Sequence, residues 1–227
     1  MTEADFPLLS LIITIALLGA LLAGSIRNVD VAKQIAVFTA LITFVLTACA
    51  TLLFDADKSG FQLVERYDWI PLLKIEYLVG VDGISVLFLP MTGLLTIITM
   101  LASWSAISHS SRFHFSLLLA LESVSIGVFC ALDTVLFFLF WELTLPPFFF
   151  LIGLWGIGSQ RRSAAMKYTL FMLAGGVTLL LAIIVLATNH AKQIGGQIPN
   201  DLTFSLPVLL NTPLPDNLQT LVVVEEQ

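Results

Sequence analysis

The sequence predicts an all-α membrane protein with about six transmembrane helices, and its composition, the length of its apolar runs and the placing of its charges lead there. Of 227 residues, 58% are hydrophobic and 11% charged. Soluble domains carry about 25% charged residues, so this chain must present apolar surface to lipid. Seventeen Phe against three Tyr, and runs such as Leu94–Ala102 and Thr134–Phe140, fit helices that are hydrophobic on every side. The net charge of -6 comes mostly from connecting segments and chain ends. No basic patch marks a nucleic-acid surface.

A hydrocarbon core about 30 Å thick is crossed by about 20 residues at 1.5 Å rise each. Six segments reach that length: Phe6–Ser25, Gln34–Phe54, Ile84–Ala106, Phe113–Leu132, Thr134–Gly156 and Ala164–Thr188. The first follows Glu3 and Asp5 rather than a basic stretch and is itself followed by further spans, so it reads as a retained helix, not a cleaved signal. Only Asp133 separates the fourth and fifth, which forces a tight antiparallel turn. The six spans make a transmembrane region over residues 1–188. Residues 189–217, with four prolines and Gly195-Gly196, read as an exposed loop. Residues 218–227 read as the start of a further helix, truncated or incompletely represented and too short to span.

If all six cross, Asp55–Gly83 and Asn189–Asn217 lie on one side as long connections. The other side carries Arg27, Lys33, Arg112, Arg161 and Arg162 in three short loops. Retained positive charge marks the cytoplasmic face, so the N-terminus is expected outside.

Against this apolar background two acids stand out. Glu122 lies in the middle of the fourth segment, where an ionised carboxylate costs at least about 2.5 kcal/mol. One reading is a neutral acid hydrogen-bonded to Ser or Thr of a neighbouring helix; the other is a proton relay. Glu142 sits inside the fifth segment and is followed by Leu143-Thr144-Leu145-Pro146-Pro147. The prolines lack N–H groups, which frees the carbonyls of residues 142 and 143 and bends the helix. An acid, two freed carbonyls and the Thr144 hydroxyl make a place where water orders and carries protons; a packing kink with a hydrogen-bonded Glu is the plainer alternative. Lys167, early in the sixth segment, reads either as an interfacial anchor or as a buried partner of a carboxylate.

Other features carry less. Gly19 with Ala23, and Ala20 with Gly24, have the spacing that brings helices close, and Gly175-Gly176 reads the same way. Trp104 and Trp155 belong to the interfacial belt. Cys49 and Cys130 lie in apolar segments without metal or redox spacing, and His109, His114 and His190 have no partner spacing for a metal. No glycine-rich phosphate cradle is present.

Trp69-Ile70-Pro71, Gly80-Val81-Asp82-Gly83-Ile84-Ser85, Phe140-Trp141-Glu142-Leu143, Leu154-Trp155-Gly156 and Ala164-Ala165-Met166-Lys167-Tyr168 follow one another as in the antiporter-like subunits of respiratory complex I. The chain resembles the N-terminal half of that family, chain 4 or subunit M most closely, up to about Leu221. The wording of Glu142–Gly176 is similar to the cyanobacterial and chloroplast-type complex, which takes electrons from ferredoxin and reduces plastoquinone. The resemblance implies a proton-translocating subunit in a bacterial inner membrane or thylakoid, with the N-terminus outside or lumenal and other membrane subunits as partners. It implies no cofactor in this chain, with NAD(P)H or ferredoxin, iron–sulfur clusters and quinone elsewhere in the complex. Glu142 matches the family glutamate of the fifth helix, Glu122 a second membrane acid and Lys167 a family lysine, so proton transfer is expected at these residues. Family members have about fourteen helices in two inverted repeats, and the expected lysine partner of Glu142 falls outside this sequence. A subunit of a stand-alone cation/proton antiporter and a purely structural scaffold are the competing functions.

Overall fold

Helices start where something can satisfy their first N–H groups, and this chain supplies that partner in two different ways. A computed structural model describes residues 6–196, 198 and 201–211. Helix α1 (Leu8–Ser25) has no cap of its own, and the buried Glu65 caps it from a distance. The Glu65 carboxylate accepts from the Leu9 N–H at 2.7 Å, from the Ser10 N–H at 3.2 Å and from the Ser10 hydroxyl. Helix α2 (Val29–Leu53) is capped locally by Asn28, whose Oδ1 accepts from Asp30 and Val31 N–H at 3.0 and 3.3 Å. Asp133 caps α5 (Thr134–Leu143) in the same manner, accepting from Val135 and Leu136 N–H at 2.9 and 3.0 Å.

The remaining elements are β1 (Gln62–Ile70), β2 (Ile75–Val81), α3 (Ser85–Ser103), α4 (Ser111–Cys130), α6 (Leu145–Trp155), α7 (Arg161–Gln193) and the short α8 (Leu206–Leu209). Six stretches are long and apolar enough to cross a membrane, α5 and α6 together forming one of them. Each expected span therefore has a helix. At 33 residues, α7 runs past the expected end at Thr188; at 1.5 Å per residue it is about 50 Å long, more than the hydrocarbon core requires. The expected further helix over 218–227 lies outside the described residues.

Two expectations about the connections change. Asp55–Gly83 is not a bare link but holds the antiparallel pair β1–β2, with Tyr67 opposite Tyr77 and Arg66 ion-paired to Glu76 at 3.0 Å. Its backbone groups find partners in each other, which an irregular link over a membrane surface would lack. Lys33 is not in a loop either. Because Asn28 starts α2 early, Lys33 lies one turn inside the helix, buried, with Nζ donating to the Trp104 carbonyl at 2.7 Å and 5.5 Å from the Trp104 ring centroid. It satisfies a carbonyl at the C-terminal end of α3, where a cation is favoured.

The tight turn expected at Asp133 is three residues, Ala131–Asp133, stitched between β2 and the segment before α8. Leu132 N–H donates to Leu78 O at 2.9 Å, Leu206 N–H to Leu132 O at 2.7 Å and Thr134 N–H to Phe204 O at 2.8 Å. Burial pushes the Asp133 carboxyl above the usual carboxylate range, against the pull of N–H donors from Leu136, Glu76 and Val135. The hairpin, this turn and the start of α1 thus form a hydrogen-bonded layer at one end of the bundle. Arg27, Arg112, Arg161 and Arg162 lie at the other end.

Helix α4 is the centre, packed by α1, α2, α3, α5 and α6. It is also rich in polar residues, and the two facts have one cause: polar side chains are costly against lipid and are driven inward. Ser116 and Ser123 donate to the Ala20 and Ile13 carbonyls of α1 at 2.6 and 2.7 Å. The small residues of α1 act as their spacing suggests. Ala20 and Ala23 share a core cluster with Ala36 and Ala40 of α2, and a Cβ at Gly19 would collide with Thr39.

Candidate functional site

Glu122 is 2% exposed on the central helix. Thr43 of α2 holds its Oε1 at 2.6 Å, while Oε2 is buried without a partner among the described residues. The Thr43 hydroxyl also lies 3.0 Å from the Ala40 carbonyl. A hydroxyl has one proton and cannot serve two acceptors in full. With the acid protonated, the Glu122 O–H donates to Thr43 Oγ1 and the Thr43 O–H to Ala40, and every proton has a place. Both readings of Glu122 taken from the sequence fit this geometry, since a neutral hydrogen-bonded acid is also one able to give up a proton. Glu122 lines a cavity of about 290 Å³ with Thr92, Thr96 and Thr99 of α3 and with Ser125 of α4.

Glu142 lies at the end of α5, two residues before the break at Thr144. The expected bend is there, because α6 begins with Leu145 and carries both prolines in its first turn, where missing N–H groups cost least. The Thr144 hydroxyl is not free beside the acid as the sequence suggested. It donates to the Trp141 carbonyl at 2.7 Å, replacing part of the lost helical bonding. The carboxyl group instead reaches across to α7, where a Cβ at Gly176 would collide with Glu142 Oε1. That oxygen is buried and has no partner among the described residues. Gly176 is thus more than a point of helix approach; it leaves the space that the acid fills. Its neighbour Gly175 faces open space.

Lys167 is exposed and forms no ion pair among the described residues. It precedes Gly176 by nine residues, about 13.5 Å along the helix axis, so the chain brings Glu142 and Gly176 together but does not bring Lys167 to either. Among the described residues no group of three His, Cys, Asp or Glu could hold a metal ion. His114 is buried in the first turn of α4, with both ring nitrogens unpartnered among the described residues and its ring 4.7 Å from that of Trp155.

Residues 131–198 match the family described as "NADH:quinone oxidoreductase/Mrp antiporter, TM". That stretch includes Glu142, Lys167 and Gly176. Over 95% of this chain the sequence is 35% identical to NAD(P)H-quinone oxidoreductase chain 4 3 of Picosynechococcus sp., covering 38% of that protein. Over 92% it is 34% identical to NADH-quinone oxidoreductase subunit M of Rickettsia typhi, covering 40% of it. The chain is a relative of the antiporter-like subunits of quinone oxidoreductases. It spans about two fifths of the length of the relatives it matches. The fold agrees: a chain of respiratory complex I from Thermus thermophilus superposes with a TM-score of 0.73 at 22% identity, over 91% of this chain and 40% of that one.

Several residues of the site were not singled out in the sequence. Thr43 and Ser125 look like ordinary helix hydroxyls, and Glu65 looks like a loop acid. The one signal available for Ser125 is its spacing of three residues from Glu122, which puts both on one face of α4.

Proposed function

We propose that this chain serves as a non-redox, proton-translocating membrane subunit of a complex I-like quinone oxidoreductase. The observation that carries the reading is a pair of acids in a helical bundle, Glu122 and Glu142, each with one buried oxygen that no group among the described residues satisfies. Such an oxygen is costly unless the group is neutral or hydrated, and a membrane acid that must exchange a proton needs that freedom. Kinship with chain 4 and subunit M supports the assignment. In this reading NAD(P)H or ferredoxin, the iron–sulfur clusters and the quinone, plastoquinone in a thylakoid, belong to other subunits, and electron transfer there drives proton movement here. Lys167, exposed and without an ion pair among the described residues, is the third titratable group of the path, with its partner on a neighbouring element or subunit.

A Mrp-type cation/proton antiporter is the second reading, favoured by the family description that joins both classes. The intact assembly, extracted in mild detergent, separates them. Co-purification of this chain with peripheral iron–sulfur subunits and quinone reductase activity is expected; an assembly with antiport activity and no such subunits would reject the first reading.

The basic end of the bundle is assigned to the cytoplasmic or stromal side, and the hairpin end to the periplasm or lumen. A cysteine placed at Ser159 is expected to react with impermeant maleimide from the cytoplasmic side. Reaction from the outer side alone would reverse the orientation.

A further inference from the structure

We propose that the Ser125 hydroxyl is the link through which protons pass between Glu122 and Glu142. The inference rests on the proton-translocating reading above. Ser125 follows Glu122 by one helical step of three residues, about 4.5 Å along α4, and both line the cavity of about 290 Å³ between α3 and α4. Ser125 and Phe129 also line a second, partly open cavity of about 230 Å³, together with Val128, Trp141, Thr144, Phe148, Tyr168 and Met172. Trp141 and Thr144 stand on either side of Glu142 in the chain. Met172 is one turn before Gly176, against which the Glu142 carboxyl rests. Of the two residues shared by both cavities, Phe129 has no exchangeable proton and Ser125 has one.

The state of the other hydroxyls makes Ser125 distinct. Thr92, Thr96 and Thr99 donate to carbonyls of their own helix at 2.7, 3.0 and 2.7 Å. Ser123 is bound to Ile13 and Thr144 to Trp141. Ser125 makes no hydrogen bond to protein among the described residues. It is free to accept on one side and donate on the other. Each cavity exceeds the roughly 10–15 Å³ of water-probe volume that one water needs.

The transfer balances as a chain of hydrogen bonds. The Glu122 carboxyl gives its proton to a water in the first cavity, and that water passes a proton to Ser125 Oγ. The original Ser125 proton leaves to a water in the second cavity and passes on to the Glu142 carboxylate, whose chain neighbours Trp141 and Thr144 line that cavity although Glu142 itself does not. One proton has moved, Glu122 has become a carboxylate and Glu142 an acid, and the serine regains its starting state by rotating about Cα–Cβ.

Ser125→Ala, Ser125→Thr and Glu142→Gln, each in the intact complex in native membranes, test this, with proton translocation measured per assembled complex and per quinone reduced. Ser125→Ala is expected to slow translocation about tenfold, a modest relay effect, and Ser125→Thr to retain most of the rate because its hydroxyl remains. Normal translocation in Ser125→Ala overturns the proposal, and so does equal loss in Ala and Thr, which would mean packing. If Glu142→Gln loses translocation while Ser125→Ala is normal, the relay alone fails. Normal translocation in Glu142→Gln would remove the function on which the relay depends.

Discussion

Membranes carrying Glu142→Gln are expected to lose proton translocation by at least about a hundredfold, the lower range for removing a positioned proton-transfer group, while the complex still assembles. Glutamine keeps nearly the same volume and the polar end that fits against Gly176, and it removes only the exchangeable carboxyl proton. A packing role would survive this change. Glu142→Asp retains the acid but withdraws it by one methylene from the α7 groove, so partial activity is expected. Where pumping is tightly coupled to electron flow, quinone reduction is expected to fall with it. Measured proton uptake at the parent rate in an assembled Glu142→Gln complex would refute the role.

The second large effect concerns a residue with no proton to give. In Gly176→Val the new side chain occupies the position of Glu142 Oε1, and the carboxyl group must leave the groove. Proton translocation is expected to fall about tenfold or more, since small misplacements of reacting groups have large kinetic costs. Gly175→Val supplies the control, because its Cβ would meet open space, and replacing helical glycine removes a penalty of about 1 kcal/mol relative to alanine, part of which valine also recovers. Two adjacent glycines should therefore respond differently. Equal rates in the two variants, measured per assembled complex, would show that Gly176 does not position the acid.

What could be read from the sequence was whatever is local. Run length located all six spans, and the lone Asp133 between two of them marked the turn and, in the structure, also caps α5. Glu122 and Glu142 stand out because a charge in an apolar run is improbable, and Pro146-Pro147 showed where the fifth span breaks. What stayed hidden joins residues distant in sequence. Glu65 caps a helix that begins 57 residues earlier, and nothing in Val64-Glu65-Arg66 announces it. Lys33 looked like a loop cation because charge near a span end normally faces water; only the folded chain shows the Trp104 carbonyl that draws it inward. The hairpin was missed because its strands are partly exposed and their alternation is broken by irregular register. Ser125 gains meaning only from two cavities built by five helices.

The shared proton of Thr43 has a mechanical corollary. While Glu122 is protonated, the Thr43 hydroxyl can stay on the Ala40 carbonyl of its own helix, a bond of the kind that curves a helix locally. When the acid ionises, the carboxylate claims that hydrogen, and Ala40 keeps only its backbone partner. A proton on Glu122 therefore favours the local curvature of α2 and its loss relaxes it, so the neighbour that feels that proton most directly is not the next acid but the helix beside it.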